Sequence, residues 1–283
     1  MNQGVIYLLT GPSHGVRLVV SLWSLRRFYS GPVTVFTTHP ISHEIGKWCA
    51  SDSRLGVQHI MTQDVPVRRN SAFLTKLSLL LQAPYETTAY LDCDTLVAGN
   101  IDELLDIQDG IEFHATHFSN WLSTTKKVRL RIESWRSIRQ TRYDPAWLKQ
   151  LVEDALEPKP AVNGGVFSFH RTARILQPWF DLAMTGWRTF ICDEIALQLL
   201  LPRFRHKVLD CRFNCSPVYQ STREDVRVWH FHGEKHLSRT TARSIWLPMY
   251  LECLAKNVAD IATWTPADDP SLAKLMLEDP SIA

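Results

Sequence analysis

The sequence contains no uninterrupted apolar run of the roughly 18 residues that a membrane span requires. Its opening, MNQGVIYLLTGPSHG, has neither a basic start nor an apolar stretch ending in small residues, so it does not read as a secretory signal. The six cysteines (Cys49, Cys93, Cys192, Cys211, Cys215, Cys253) stand singly apart from one C-x3-C, with no pair at zinc-ribbon spacing. A chain of 283 residues needs no disulfide staples, and reduced thiols in a cytoplasmic protein are expected. No G-x-G-x-x-G occurs, which argues against a dinucleotide-dependent oxidoreductase. Nor is one sign of charge in excess: 31 Lys and Arg against 29 Asp and Glu leave +2, which excludes a wholly basic nucleic-acid binder.

What is present suits a packed α/β core, with 45% hydrophobic and 21% charged residues in a chain near the size at which one core begins to divide. The first 90 residues alternate β-type and amphipathic runs, as βα units feeding a mostly parallel sheet do. Strands are expected over 5–10, 33–38, 57–60 and 88–91. Between them lie a helix capped by Ser13, with Val16, Val19, Val20, Trp23 and Phe28 on one face and Gly31-Pro32 at its end, then helices over 42–50 and 71–82. Later come a β-type run over 164–169, a helix over 193–201 and a strand over 226–231. The expected organisation is a single domain over 1–260, an insertion at 111–160 where the alternation lapses, and a peripheral tail over 261–283.

The sharpest local feature is Leu91-Asp92-Cys93-Asp94-Thr95-Leu96, which sets two carboxylates at i and i+2 just after the fourth strand. In extended backbone both would point to one side and could share a cation, for which oxygen ligands suit Mg²⁺ or Mn²⁺. Asp-x-Asp occurs about once by chance in such a chain, so the weight falls on its position, because open parallel sheets bind ligands at the carboxyl ends of their strands. A second cluster, Trp229-His230-Phe231-His232-Gly233-Glu234-Lys235-His236, places two histidines on one strand face. Either could complete the coordination, Gly233 could admit a phosphate to the backbone, and Lys235 could neutralise it. In Ala161-Val162-Asn163-Gly164-Gly165-Val166-Phe167 an amide stands beside two glycines, and Cys192-Asp193-Glu194 opens a helix that Glu194 is expected to cap. Asp193 could cap as well or contact substrate hydroxyls.

Taken together and in order, YLDCDTL, NGGVF, DEIALQ and HFHGEK resemble the family 8 glycosyltransferases and their GT-A relatives, over about 5–236. The resemblance implies a GT-A-like α/β fold and transfer of a hexose from a nucleoside diphosphate sugar, a UDP-sugar by family precedent, to an acceptor hydroxyl with retention. It implies Mn²⁺ or Mg²⁺ held by Asp92, Asp94 and His230, with His232 as the competing third ligand. Lys76, Gly233 and Lys235 would lie near the donor phosphates, Asn163, Gly165 and Asp193 near its sugar, and Thr10 near its nucleoside. Asp193, Asn163 and Lys235 are the expected catalytic residues. This sequence departs from the family where the lysine of the late motif arrives one residue early, where DEIALQ replaces D-Q-x-x-L-N, and where the first strand lacks its usual terminal acid. A metal-dependent nucleotidyltransferase and a non-catalytic carbohydrate-binding or scaffold domain are the competing readings. The first would need a glycine-rich basic loop where GPSHG stands.

The near-zero charge is unevenly spread. Residues 126–142 hold seven cations against Glu133 alone, or +6, which leaves the remainder at −4. With Trp121, Trp135 and Trp147 nearby, this segment suits a glycan, lipid-linked or protein acceptor and a peripheral membrane contact.

Overall fold

The computed structural model describes residues 2–38, 40–62, 71–117, 146, 150, 162–190, 193–218, 222–231 and 240–263. Four β-type runs form the parallel half of a seven-stranded sheet: β1 (Gln3–Leu9), β2 (Val33–Thr37), β3 (Val57–Met61) and β4 (Thr87–Leu91). β5 (Thr95–Val97) leaves this sheet, whereas β6 (Phe113–His117), β7 (Val162–His170) and β8 (His206–Leu209) complete it in the order β3-β2-β1-β4-β7-β6-β8. Only β7 runs against its neighbours. A separate antiparallel pair joins β5 to β9 (Val228–His230).

The continuous apolar character of β1 follows from burial on both faces. Val5, Tyr7 and Leu9 pack into one core with α1 (Gly15–Leu25), α2 (Pro40–Ser51) and a late helix, while Ile6 and Leu8 pack into the other. That second core also takes Leu77 and Leu80 of α3 (Ser71–Leu80), together with Phe113, Phe167 and Phe169 from the antiparallel region. The result is three layers, helices on both sides of one sheet. After α4 (Asp102–Leu105), the described residues include α5 (Leu176–Phe190), α6 (Asp193–Leu200) and α7 (Thr240–Ala255).

Several expectations are corrected. Ser13 caps nothing: it sits in a 3-10 turn, Pro12–His14, and neither that turn nor α1 has a side-chain cap bond. α1 stops at Leu25, so Phe28 lies outside it and is 41% exposed. The stretch separated as an insertion from 111 begins inside the sheet, because β6 pairs with both β7 and β8. Ile261, taken as the start of a peripheral tail, is buried against the first core. Residues 264–283 and the basic segment 126–142 lie outside the described residues.

Strand order positions the site. From β1 the chain moves outward through β2 and β3, then returns to place β4 on the other side of β1. A crevice opens at such a reversal, beyond the carboxyl ends of β1 and β4.

Candidate functional site

A cavity of about 280 Å³ occupies that crevice, lined by Thr10 and His14 after β1, Phe73 and Lys76 on α3, and Asp92 and Asp94 after β4. The carboxylates converge through a turn rather than extended backbone, which corrects the expectation. The Thr95 N–H and hydroxyl both donate to the Asp92 carbonyl, at 3.2 and 2.8 Å, while the buried Cys93 thiol between the acids turns inward to the Leu8 carbonyl. Thr95 is itself anchored from α1, its hydroxyl 2.9 Å from Ser21 Oγ, which lies 3.1 Å from the Tyr7 hydroxyl.

The small sheet supplies the third member. Thr95 stands opposite His230, and the Phe231 N–H donates to the Asp94 carbonyl at 2.9 Å. The His230 ring, 2% exposed, brings Nε2 to 3.2 Å from Asp94 Oδ1 and 3.7 Å from Asp92 Oδ2. One ligand atom from each of Asp92, Asp94 and His230 falls within 4.8 Å of the others. Two carboxylate oxygens and an imidazole nitrogen are a donor set suited to a divalent cation. Burial disfavours charge on His230, but Asp94 and Asp92 outweigh it and hold the imidazole above its usual value.

Gly165 makes this convergence possible. Its carbonyl accepts the Asp92 N–H at 2.8 Å, and a Cβ on it would fall 2.1 Å from His230 Cε1. Gly164 is similarly confined, since a Cβ there would meet Asp193 Oδ2 at 2.6 Å.

Lys76 ties the site to α6. Its ammonium lies 2.5 Å from Asp193 Oδ2 and 3.8 Å from Asp92 Oδ1, and it donates to the Gly164 carbonyl at 2.9 Å. Burial opposes its charge, yet Asp193 and Asp92 prevail and hold Lys76 above its ordinary value. The expected choice for Asp193 between capping and ligand contact thus omitted its principal partner, a buried lysine.

Asn163 is 1% exposed, and its amide is engaged at both ends: Oδ1 accepts from the Gly165 N–H at 2.8 Å and from Asn214 Nδ2 at 3.0 Å, while Nδ2 donates to Glu194 Oε1. Glu194 stands in the first turn of α6, where an acid favours the positive helix end as expected, and it also receives this amide. Burial, reinforced by Asp193, pushes its carboxyl up to about 7.

Two contributors escaped the sequence reading. The Tyr90 hydroxyl donates to Asp92 Oδ1 at 2.7 Å, and its ring lies 5.2 Å from the Lys76 ammonium. Its place two residues before Asp92, within YLDCDTL, was an available signal. Asn214, in no motif, contacts His230 Nδ1 at 2.9 Å and could not have been found without the fold. Gly233, Lys235 and the alternative ligand His232 lie outside the described residues.

No protein-family profile matches the chain, and no curated protein matches it by sequence. Solved structures do match. The galactosyltransferase LgtC, in complex with donor and acceptor sugar analogues, superposes with a TM-score of 0.62 at 14% identity, covering 89% of this chain and 95% of that one. Mouse xyloside xylosyltransferase 1 gives 0.56 at 15% identity, covering 82% and 98%. The glycosyltransferase GlyE of Streptococcus pneumoniae gives 0.55 at 13% identity, covering 90% and 65%. The chain has the GT-A glycosyltransferase fold, with a seven-stranded, mostly parallel sheet between helices.

Proposed function

We propose that this protein is a metal-dependent glycosyltransferase, allied to family 8, that moves a hexose from a nucleoside diphosphate sugar, by family precedent a UDP-sugar, to an acceptor hydroxyl with retention. The observation that carries this reading is the Asp92, Asp94 and His230 cluster on the crevice between β1 and β4. These three residues would hold Mn²⁺ or Mg²⁺, which when bound supplies a Lewis acid that offsets charge on the departing diphosphate. Thr10, which lines the cavity, would contact the nucleoside. Lys76 offsets the negative charge of Asp92 and Asp193, so that an anionic donor can enter a site otherwise rich in carboxylates. Asp193 and Asn163 position the donor sugar, Asp193 from its ion pair with Lys76 and Asn163 through the carboxyl of Glu194. Gly165 admits the ligand cluster against β7; Gly233 and Lys235 would contact the phosphates, with Lys235 adding charge stabilisation to the leaving group.

The part of segment 111–160 that follows β6 is assigned to acceptor recognition, with 126–142 as its cationic part and a glycan, lipid-linked or protein acceptor as its partner. A cytoplasmic location, with peripheral membrane contact through 126–142, belongs to the same proposal. Thermal-shift measurements with Mn²⁺ and a panel of nucleotide sugars, followed by donor hydrolysis without acceptor, test the central claim. Stabilisation and hydrolysis by one donor in the presence of Mn²⁺ are expected. Failure of every donor to stabilise the protein would refute the reading, and an inverted anomer by NMR would refute retention.

A further inference from the structure

Asn214 is fully buried, immediately after the 3-10 turn Cys211–Phe213. Its Oδ1 faces His230 Nδ1 at 2.9 Å, and its Nδ2 donates to Thr116 Oγ1 at 2.8 Å and to Asn163 Oδ1 at 3.0 Å. Two backbone groups whose roles covalent structure settles determine how this amide is turned. The Gly165 N–H can only donate and meets Asn163 Oδ1 at 2.8 Å, so the oxygen of Asn163 is the atom facing Asn214. The Val166 carbonyl can only accept and takes the Thr116 hydroxyl proton at 2.5 Å, which leaves Thr116 Oγ1 with lone pairs alone for Asn214. Both neighbours therefore require the amide nitrogen of Asn214, and its oxygen is left for His230. An oxygen at that distance from Nδ1 requires a proton on Nδ1. The neutral ring then carries its lone pair on Nε2, the atom that faces Asp94 and Asp92.

We infer that Asn214 is a positioning residue: it locks neutral His230 in the Nδ1–H tautomer and so presents Nε2 as a ligand atom to a divalent cation shared with Asp92 and Asp94. This rests on the metal site of the proposed function. The opposite tautomer would turn an N–H, with no lone pair, toward the position the cation shares with both acids. The ring is also restrained in position, because the His230 N–H donates to the Cys215 carbonyl at 2.8 Å and Gly165 closes the space beside Cε1. Loss of the group that orients a ligating imidazole costs roughly 10- to 100-fold in metal affinity.

The test uses the full chain as wild type, Asn214→Ala, Asn214→Asp and His230→Gln. Long-range ¹H–¹⁵N spectra of the metal-free, histidine-labelled protein, recorded at rising pH until the His230 ring is neutral, report the tautomer, with His230→Gln assigning the signal. Wild type is expected to show Nδ1–H, and Asn214→Ala to shift population to Nε2–H, which the two carboxylates would accept. Titration with Mn²⁺, followed by electron paramagnetic resonance, is expected to show roughly 10- to 100-fold weaker binding for Asn214→Ala. Asn214→Asp, which keeps an acceptor for Nδ1, is expected to recover part of that loss. An Nε2–H tautomer in wild type overturns the inference even if no variant folds, and so does Mn²⁺ affinity in Asn214→Ala within about twofold of wild type. Absence of Mn²⁺ binding by wild type would instead refute the metal reading, while the spectra still decide whether Asn214 holds the ring.

Discussion

Gly165→Ala inserts one methyl group behind the candidate metal cluster. The added Cβ would lie 2.1 Å from His230 Cε1, 2.8 Å from His230 Nδ1 and 2.7 Å from Asp92 Oδ2. Ordinary carbon contact begins near about 3.5 Å, so the ring or the strand must retreat by about 1.4 Å. Neither has room to do so freely. The strand is tied to Asp92 through the Gly165 carbonyl and to Asn163 through the Gly165 N–H, each at 2.8 Å, and the ring is 2% exposed and hydrogen-bonded to Asn214. Gly165 is not among the positive-φ glycines, so the effect is steric. Overpacking of this kind costs about 1–3 kcal/mol, and each kcal/mol lowers Tm by roughly 2–4 °C in a chain approaching this size. Displacing one ligand by more than about 1 Å is expected to weaken Mn²⁺ binding by roughly 10- to 100-fold, the scale seen when a ligand loses its orienting partner. Mn²⁺ titration and urea unfolding measure both effects. Gly11→Ala is the control, because its Cβ would meet nothing within 4 Å and its φ of −165° is ordinary extended backbone. Wild-type Mn²⁺ affinity and stability in Gly165→Ala would refute the claim that this glycine is required by the close approach of His230.

Asp92→Asn, Asp94→Asn and His230→Gln are each expected to abolish most of the Mn²⁺-dependent rise in Tm, and an undiminished rise in all three would exclude this cluster as the cation site. Lys76→Met leaves the buried Asp193 carboxylate without its ammonium partner, an expected loss of about 3–5 kcal/mol in urea unfolding. Adding Asp193→Asn removes the orphaned charge and should recover much of that loss; a double variant no more stable than the single would show that the pair is not the cause. Burial places Glu194 at about 7 in the folded chain, against about 4.3 when unfolded. Between those values the folded state binds the extra proton, so this residue makes stability fall as pH rises toward about 7, with no further loss above it. Glu194→Gln should remove that component, and identical pH slopes in wild type and variant would contradict it.

Much of the framework was legible because its signals are local. The runs that became β1, β2 and β4 are buried almost throughout, on both faces, whereas β3, at the sheet edge, is buried only at Val57. The harder elements lacked such a signature. β6 reads Phe-His-Ala-Thr-His and β8 reads His-Lys-Val-Leu, both polar enough to pass for loop, yet β6 lies between two strands of the sheet. α7 escaped notice because Thr-Thr-Ala-Arg-Ser-Ile-Trp-Leu-Pro-Met-Tyr-Leu-Glu-Cys-Leu-Ala spreads apolar residues around the helix and contains Pro248.

The same division runs through the site. Asp92, Asp94, Asn163 and Asp193 stand out by residue type, spacing and position near strand or helix ends, information the sequence carries by itself, whereas His230 over His232 and Gly165 followed from the resemblance to family 8. The pairing of Lys76 with Asp193, the second role of Glu194 as partner of Asn163, and the hold of Asn214 on His230 required the tertiary structure. Lys76 meets the Gly164 carbonyl 88 positions away, and Asn214 meets Thr116 across 98. Periodicity reports which face of an element is buried, because that depends on neighbours a few residues apart. The orientation of an amide depends on which donors and acceptors the folded chain brings around it, and only closure of the sheet and its small antiparallel partner decided those.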